Sequence, residues 1–176
     1  VANDRQVITI RNMELSDLSE VMRIDRQSFS TPWSESMFRF ELSHNPAGYL
    51  MVAERRGKPA EVIGYIGFWM IDGRAHIYTL AVKPEDRRKG VAKRLITAAL
   101  ARAVKLTASE ASLEVRESND MARSLYEDFG FEVVGRQMEY YKDSGEDALI
   151  MECKDLRRFG ASHGGEQWIR ERSSGR

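Results

Sequence analysis

The sequence predicts a mixed α/β fold of the α+β type, a mostly antiparallel sheet of roughly six to seven strands flanked by about four helices and holding one central parallel pair. Three observations carry that prediction. Apolar residues switch repeatedly between period 2 and period 3.6, so strands and helices are interspersed along the chain. Asp72-Gly73 joins two apolar runs, the signature of a two-residue hairpin and therefore of antiparallel pairing. The stretch from RAHIYTLAV to ASLEVR spells strand, long helix and strand, a right-handed crossover whose two strands are parallel neighbours.

The elements follow in order. VITIR (7–11) alternates with β-branched residues and reads as a strand. LSDLSEVMRIDRQSF then places Leu18, Val21, Met22 and Phe29 at helical spacing. Thr31-Pro32-Trp33-Ser34 breaks that pattern, and Ser34 is a fitting N-cap for a second short helix, SESMFRFEL, which the turn Asn45-Pro46-Ala47-Gly48 ends. Strands at 49–55 and 62–71, joined by RRGKPA, and the strand after Asp72-Gly73 make an antiparallel meander. From Gly90 onward Ala92, Leu95, Ile96, Ala99, Ala103 and Leu106 form the apolar stripe of a long helix. ASLEVR (111–116) is the next strand. Asn119 can N-cap a helix with the stripe Ala122, Leu125, Tyr126 and Phe129, closed by Gly130. FEVVGRQMEYY and DALIMEC complete the sheet as a hairpin. The domain is expected to span 1–154. Residues 155–176, rich in Gly, Ser and charge, are expected to form a flexible tail in which Trp168 and Ile169 are the residues able to dock.

Composition narrows the function. With 42% apolar and 31% charged residues the 176-residue chain is an ordinary globule, and its 27 basic residues balance 27 acidic ones. No global charge draws it to nucleic acid or to an anionic membrane, so any anion site must be local. The single Cys153 excludes an internal disulfide framework and fits a reducing compartment. The apolar run Val62 to Ile71 is far short of the roughly 20 residues that span a bilayer. VANDRQVITI has no signal-peptide apolar region, so a cytoplasmic location is expected.

The local anion site is the basic knot in TLAVKPEDRRKGVAKRL (79–95). A strand that runs through a loop into a helix N-terminus offers unpaired N–H groups and the positive end of a helix dipole. Gly90 would let the main chain approach a phosphate, Ala92 keeps that approach free of bulk, and Arg87, Arg88, Lys89 and Lys93 add screened charge. Cations at a helix N-terminus oppose the dipole, an arrangement that a bound anion relieves. The aromatics or extended basic stripe that nucleic-acid binding requires are missing, as are the P-loop and dinucleotide fingerprints.

On those residues the sequence resembles the GNAT acetyltransferase superfamily, whose acetyl-CoA pyrophosphate signature Arg/Gln-x-x-Gly-x-Gly/Ala is met by Arg87, Gly90 and Ala92. LEVRESNDMARSLYEDFGF resembles most closely the bacterial RimI group, N-terminal acetyltransferases of ribosomal protein alanine. The likeness covers about residues 7–153. It implies acetyl-CoA as cosubstrate and a central parallel pair splayed at the acetyl-CoA site. It also implies pantetheine pairing with Leu80, Ala81 and Val82, and pyrophosphate held by Arg87, Arg88, Lys89, Gly90, Val91, Ala92 and Lys93, with Asn119 as a further contact. The implied acceptor is the N-terminal amine of a ribosomal protein.

Acetyl transfer to an amine needs a base for the ammonium and a proton donor for the departing thiolate. Glu114, inside an otherwise apolar strand, is a candidate base, although alternation sets Arg116 on the same face and a simple ion pair would account for both. The resemblance puts Glu114 at the proton-acceptor position. Tyr126 lies in a core stripe, and on periodicity alone packing is the better account of it; the resemblance makes it the general acid beside the CoA sulfur. His76 could relay a proton through water or serve only structurally. The resemblance makes Trp33, Tyr140 and Tyr141 candidate acceptor contacts, with His76 as a fourth. His44, His163 and Cys153 lack metal-ligand spacing, and no metal, nucleic acid or membrane partner is expected. Two rival functions remain: an acetyltransferase for lysine side chains or small amines, and a noncatalytic acyl-CoA-binding interaction module. The presence of both Glu114 and Tyr126 argues against the second.

Overall fold

Eleven regular elements follow one another as β1 (Ile8–Asn12), α1 (Leu18–Ser28), α2 (Glu35–Ser43), β2 (Gly48–Arg55), β3 (Glu61–Ile71), β4 (Arg74–Val82), α3 (Val91–Lys105), β5 (Glu110–Arg116), α4 (Asp120–Asp128), β6 (Glu132–Tyr141) and β7 (Glu146–Cys153). They come from a computed structural model that describes residues 7–160. The strands form a sheet of order β1-β2-β3-β4-β5-β7-β6. β4 and β5 are parallel, from Arg74 opposite Glu110 to Ile77 opposite Leu113. The pairs β1/β2, β5/β7 and β6/β7 are antiparallel. The expected mixed sheet and helix complement are therefore present. Asp72 and Gly73 both take positive φ (49° and 74°), the geometry that a tight hairpin between β3 and β4 demands.

Two compact units divide the described residues, one made of 7–67 and 79–98, the other of 68–78 and 99–160. In the first, Ser34 caps α2 by accepting a hydrogen bond from the Met37 N–H at 3.3 Å. The Asn45–Gly48 turn closes behind the helix. Val21, Ile24, Phe38, Ile63, Tyr65, Ile66, Leu95 and Ile96 are fully buried here. Gly64 on β3 has a packing reason to lack a side chain: a Cβ there would lie 2.9 Å from the Ala81 carbonyl oxygen and 3.2 Å from Leu95. Phe29 departs from the expected stripe. It is the extended C-cap of α1 and is 38% exposed, because the helix ends at Ser28 and the chain turns away before the next helical position.

In the second unit Phe68, Leu100, Leu113, Phe129, Phe131 and Met151 are fully buried. β6 is irregular. Its register against β7 shifts between Val133 and Gly135 and again between Gln137 and Tyr141, where Glu139 takes a φ of 49°. After β7, Leu156 and Phe159 are buried, the Phe159 ring lies 6.1 Å from that of Phe129, and Arg158 donates to the Phe129 carbonyl at 2.8 Å. Trp168 and Ile169, expected to dock the tail, lie outside the described residues, as does His163.

Candidate active site

The first unit carries the loop expected to bind an anion. β4 ends at Val82, a short turn spans Pro84–Asp86, and α3 begins at Val91 with no acidic residue in its first turn. Arg88 and Gly90 both adopt left-handed backbone, φ 62° and 81°, which turns the chain into the helix start. No atom lies within 4 Å of where a Gly90 Cβ would be. The loop is thus an unobstructed backbone cradle at a helix start, a geometry that an anion could occupy. Of the candidate side chains, Arg87 turns its guanidinium inward, with Nε donating to the Val82 carbonyl at 3.0 Å and Nη2 to Ser28 Oγ at 3.1 Å. It braces the loop. Lys89 lies 3.1 Å from Asp86. Val91 and Ala81 are buried, Leu80, Ala92 and Lys93 are half-buried, and Arg88 is exposed.

Beneath the loop lies a charge scaffold that sequence reasoning missed. Asp86 is only 2% exposed and accepts from Arg55 at 2.7 Å, while its second oxygen has no hydrogen-bond partner among the described residues. Arg55 also pairs with Glu61, and Glu61 with Lys83. The Lys83 ammonium, followed by Arg55, holds the Glu61 carboxyl down at about 2. Only Asp86 in Lys-Pro-Glu-Asp-Arg hinted at this, since Arg55 and Glu61 lie on other strands.

The second unit gathers the candidate catalytic groups. Glu114 on β5 is half-buried, and its Oε2 lies 3.1 Å from His76 Nε2. His76 stands opposite Ser112 in the parallel register, with Nδ1 3.0 Å from Ser112 Oγ, and its ring stacks on Trp69 at 5.8 Å. The ion pair that would have explained Glu114 away has formed elsewhere. Arg116 bonds Asp143 at 2.7 Å and Glu146 at 3.3 Å, and lies 3.9 Å above the Tyr141 ring.

Tyr126 is 8% exposed, with its ring edge-on to Phe131 at 5.8 Å. Burial pushes its phenol well above the ordinary range, with Tyr141 adding to the shift, so it stays protonated. No hydrogen bond engages its hydroxyl among the described residues. Tyr141 is raised to about 12, chiefly by burial, with Arg116 pulling the other way. Tyr140 is raised by burial and then by the charge of Glu114. Adjacent residues of a regular strand face opposite ways. Here the bulge between Gln137 and Tyr141 lets both phenols sense one carboxylate. Asn119 caps α4, its side-chain oxygen accepting from the Ala122 N–H at 3.1 Å. No cluster of three or more metal-ligating side chains occurs among the described residues. Likewise, no helix there is long and apolar enough to cross a membrane.

Residues 18–131 match the model of the acetyltransferase (GNAT) family. A Bacillus subtilis (strain 168) protein provisionally named a ribosomal protein bS18-alanine N-acetyltransferase is 40% identical over 142 residues, covering 81% of this chain and 92% of its own. The N-alpha-acetyltransferase RimI of Mycobacterium tuberculosis is 30% identical over 155 residues, covering 84% and 93%. The crystal structure of the ribosomal-protein-S18-alanine N-acetyltransferase from Escherichia coli superposes with a TM-score of 0.74 at 28% identity, over 83% of this chain and 92% of that one. The chain belongs to the acetyltransferase (GNAT) family, enzymes whose acyl donor is acetyl-CoA.

Proposed function

We propose that this acetyltransferase is a protein N-α-acetyltransferase of the RimI type, transferring acetyl from acetyl-CoA to the N-terminal amine, alanine by preference, of a small-subunit ribosomal protein. The observation that carries the reading is the grouping of Glu114, His76, Tyr126, Tyr140 and Tyr141. It combines an accessible carboxylate, a protonated buried phenol and two phenols able to hydrogen-bond a peptide backbone. The names of the relatives supply the acceptor, and a cytoplasmic location follows from that acceptor.

In the proposed reaction the backbone of Gly90 and the first turn of α3 hold the pyrophosphate, with Arg88 and Lys93 adding charge. Leu80, Ala81 and Val82 offer main-chain groups to pantetheine, and an N–H of this strand stabilises the developing oxyanion. Glu114 removes one proton from the α-ammonium, whose ordinary pKa of about 7.7–8.0 makes this an easy step for a carboxylate assisted by water. The amine then forms the new C–N bond directly as the C–S bond breaks; Tyr126 passes its hydroxyl proton to the departing sulfur and is reprotonated, by way of water, by the second proton that the nitrogen loses. Ser112 donating to Nδ1 would select the tautomer in which Nε2–H faces Glu114, so His76 orients the base. Asn119 and Trp33 complete the donor and acceptor contacts.

A library of N-terminal peptides incubated with acetyl-CoA and read by mass spectrometry tests the proposal. Acetylation of α-amines, strongest on alanine, is the expected result. Acetyl groups confined to lysine side chains would transfer the assignment to the lysine or small-amine reading.

A further inference from the structure

The first unit contains a buried carboxylate that the mechanism above does not use. Asp25, in the last turn of α1, is 1% exposed. One oxygen accepts from the phenol of Tyr65 on β3, and the other accepts the Trp33 main-chain N–H at 2.7 Å. The Tyr65 hydroxyl in turn accepts from Thr79 Oγ1 at 3.2 Å. Thr79 immediately precedes Leu80, Ala81 and Val82, the strand segment assigned to pantetheine. Trp33 belongs to the segment between α1 and α2 assigned to the acceptor. Its ring packs on Phe38 at 5.3 Å, and Phe38 meets Tyr65 edge-on at 5.8 Å.

A carboxylate is an expensive way to hold a helix against a sheet. Burial raises the Asp25 pKa above the ordinary range, against the bonds from Tyr65 and the Trp33 N–H, a desolvation cost that an apolar residue would not carry. What a carboxylate offers here is two acceptors on one rigid group. One fixes the main chain at Trp33, the other reaches β3 and through it β4. Neither α1 packing nor helix capping needs this: Leu18, Val21 and Ile24 already bury the helix face, and the Phe29 N–H caps through the Asp25 backbone carbonyl rather than its side chain.

We infer that Asp25 is a positioning residue for the acceptor, tying the Trp33 segment through Tyr65 and Thr79 to the strand that presents the acyl donor. The inference rests on the assignment of that segment to the acceptor. A linkage of this kind sets where the peptide binds and leaves the chemistry of Glu114 and Tyr126 untouched.

Steady-state kinetics of Asp25→Asn, Tyr65→Phe and Trp33→Ala, with an N-terminal peptide and acetyl-CoA varied in turn, test it. Asparagine keeps the shape of Asp25 but loses one of its two acceptors. Asp25→Asn should raise the acceptor KM about tenfold, the size of one hydrogen bond to a charged group. Its kcat should stay within about threefold and its acetyl-CoA KM should not change. Tyr65→Phe, which keeps the ring and removes the hydroxyl that joins Asp25 to Thr79, should raise the acceptor KM about threefold on the same scale. It also carries the test if Asp25→Asn does not fold. Parallel loss of kcat and of both KM values would mean a merely structural role and overturn the inference. A raised acceptor KM in Trp33→Ala with none in Asp25→Asn or Tyr65→Phe would overturn the linkage while leaving the acceptor segment in place. No effect in any of the three would remove both the linkage and that segment's role, whereas wild-type enzyme that acetylates no α-amine would instead fail the proposed function.

Discussion

Under the proposed function, the two units solve recognition in opposite ways. The loop of the first unit is made of backbone: left-handed residues at 88 and 90, an unobstructed Gly90 and a helix start without acids, resting on ion pairs among Arg55, Glu61, Lys83 and Asp86. The Glu114 cluster of the second unit is made of side chains, drawn from β4, β5, α4 and β6. Backbone recognition suits a constant feature such as a pyrophosphate, whereas proton transfer needs groups whose acidity depends on their surroundings. Substitutions in the two units should therefore separate binding of the donor from turnover.

The largest separation is expected at Glu114 and Tyr126. Glu114→Gln keeps the shape and the contact with His76 but cannot take a proton, and should lower kcat by about 10²–10⁴-fold, the usual contribution of a general base. Tyr126→Phe keeps the buried ring beside Phe131 and should lower kcat by a smaller factor, about 10–10²-fold, since a phenol held so far above its ordinary range is a weak acid whose part water can take in some measure. In both variants acetyl-CoA should still raise the melting temperature as it does for wild type. Loss of that stabilisation would break the division of labour between the units.

Gly90→Ala tests the other side. The space around Gly90 is open, so an added methyl acts through the φ of 81° rather than through a clash. Forcing a residue with a Cβ into left-handed backbone costs about 1–2 kcal/mol, which predicts an acetyl-CoA KM raised about tenfold with kcat nearly unchanged. Arg88→Gly, which suits the local φ of 62° and removes one exposed charge, should change that KM by less than about threefold and only at low salt. If the charge mattered more than the glycine, the order of the two effects would reverse.

The same contrast explains what could be read from the sequence. The loop was legible because its signal is local: an apolar strand, a proline step, Gly90 and an amphipathic helix are consecutive. The caps Ser34 and Asn119 and the Asp72-Gly73 hairpin were legible for the same reason. The surroundings of Glu114 were not, because each depends on register. Ser112 meets His76 only once β4 and β5 are aligned, and Tyr140 and Tyr141 both sense Glu114 only because β6 bulges, for which Glu139 carries no sequence mark. Asp25 was half-legible. It falls at i+7 from Leu18 and i+4 from Val21, an acid on an apolar stripe, and its partners Tyr65 and Thr79 lie far along the chain.

The smallest effect concerns the scaffold under the loop. Glu61 is held at about 2 in the folded protein against an ordinary 4.5, by Lys83 first and Arg55 second. A carboxylate depressed by folding adds stability that is fully present above its ordinary pKa and is lost as pH falls toward the folded value. Glu61→Gln should therefore be less stable than wild type at neutral pH, and the gap should narrow between about pH 4.5 and pH 2 as the wild-type carboxyl takes up its proton. Glu61 is partly exposed, so solvent screening keeps the gap to about 1 kcal/mol or less. Denaturant unfolding of both proteins across that window measures it. A gap that widened toward acid would mean that Glu61 is held by packing rather than by its cations, and that the loop does not rest on charge.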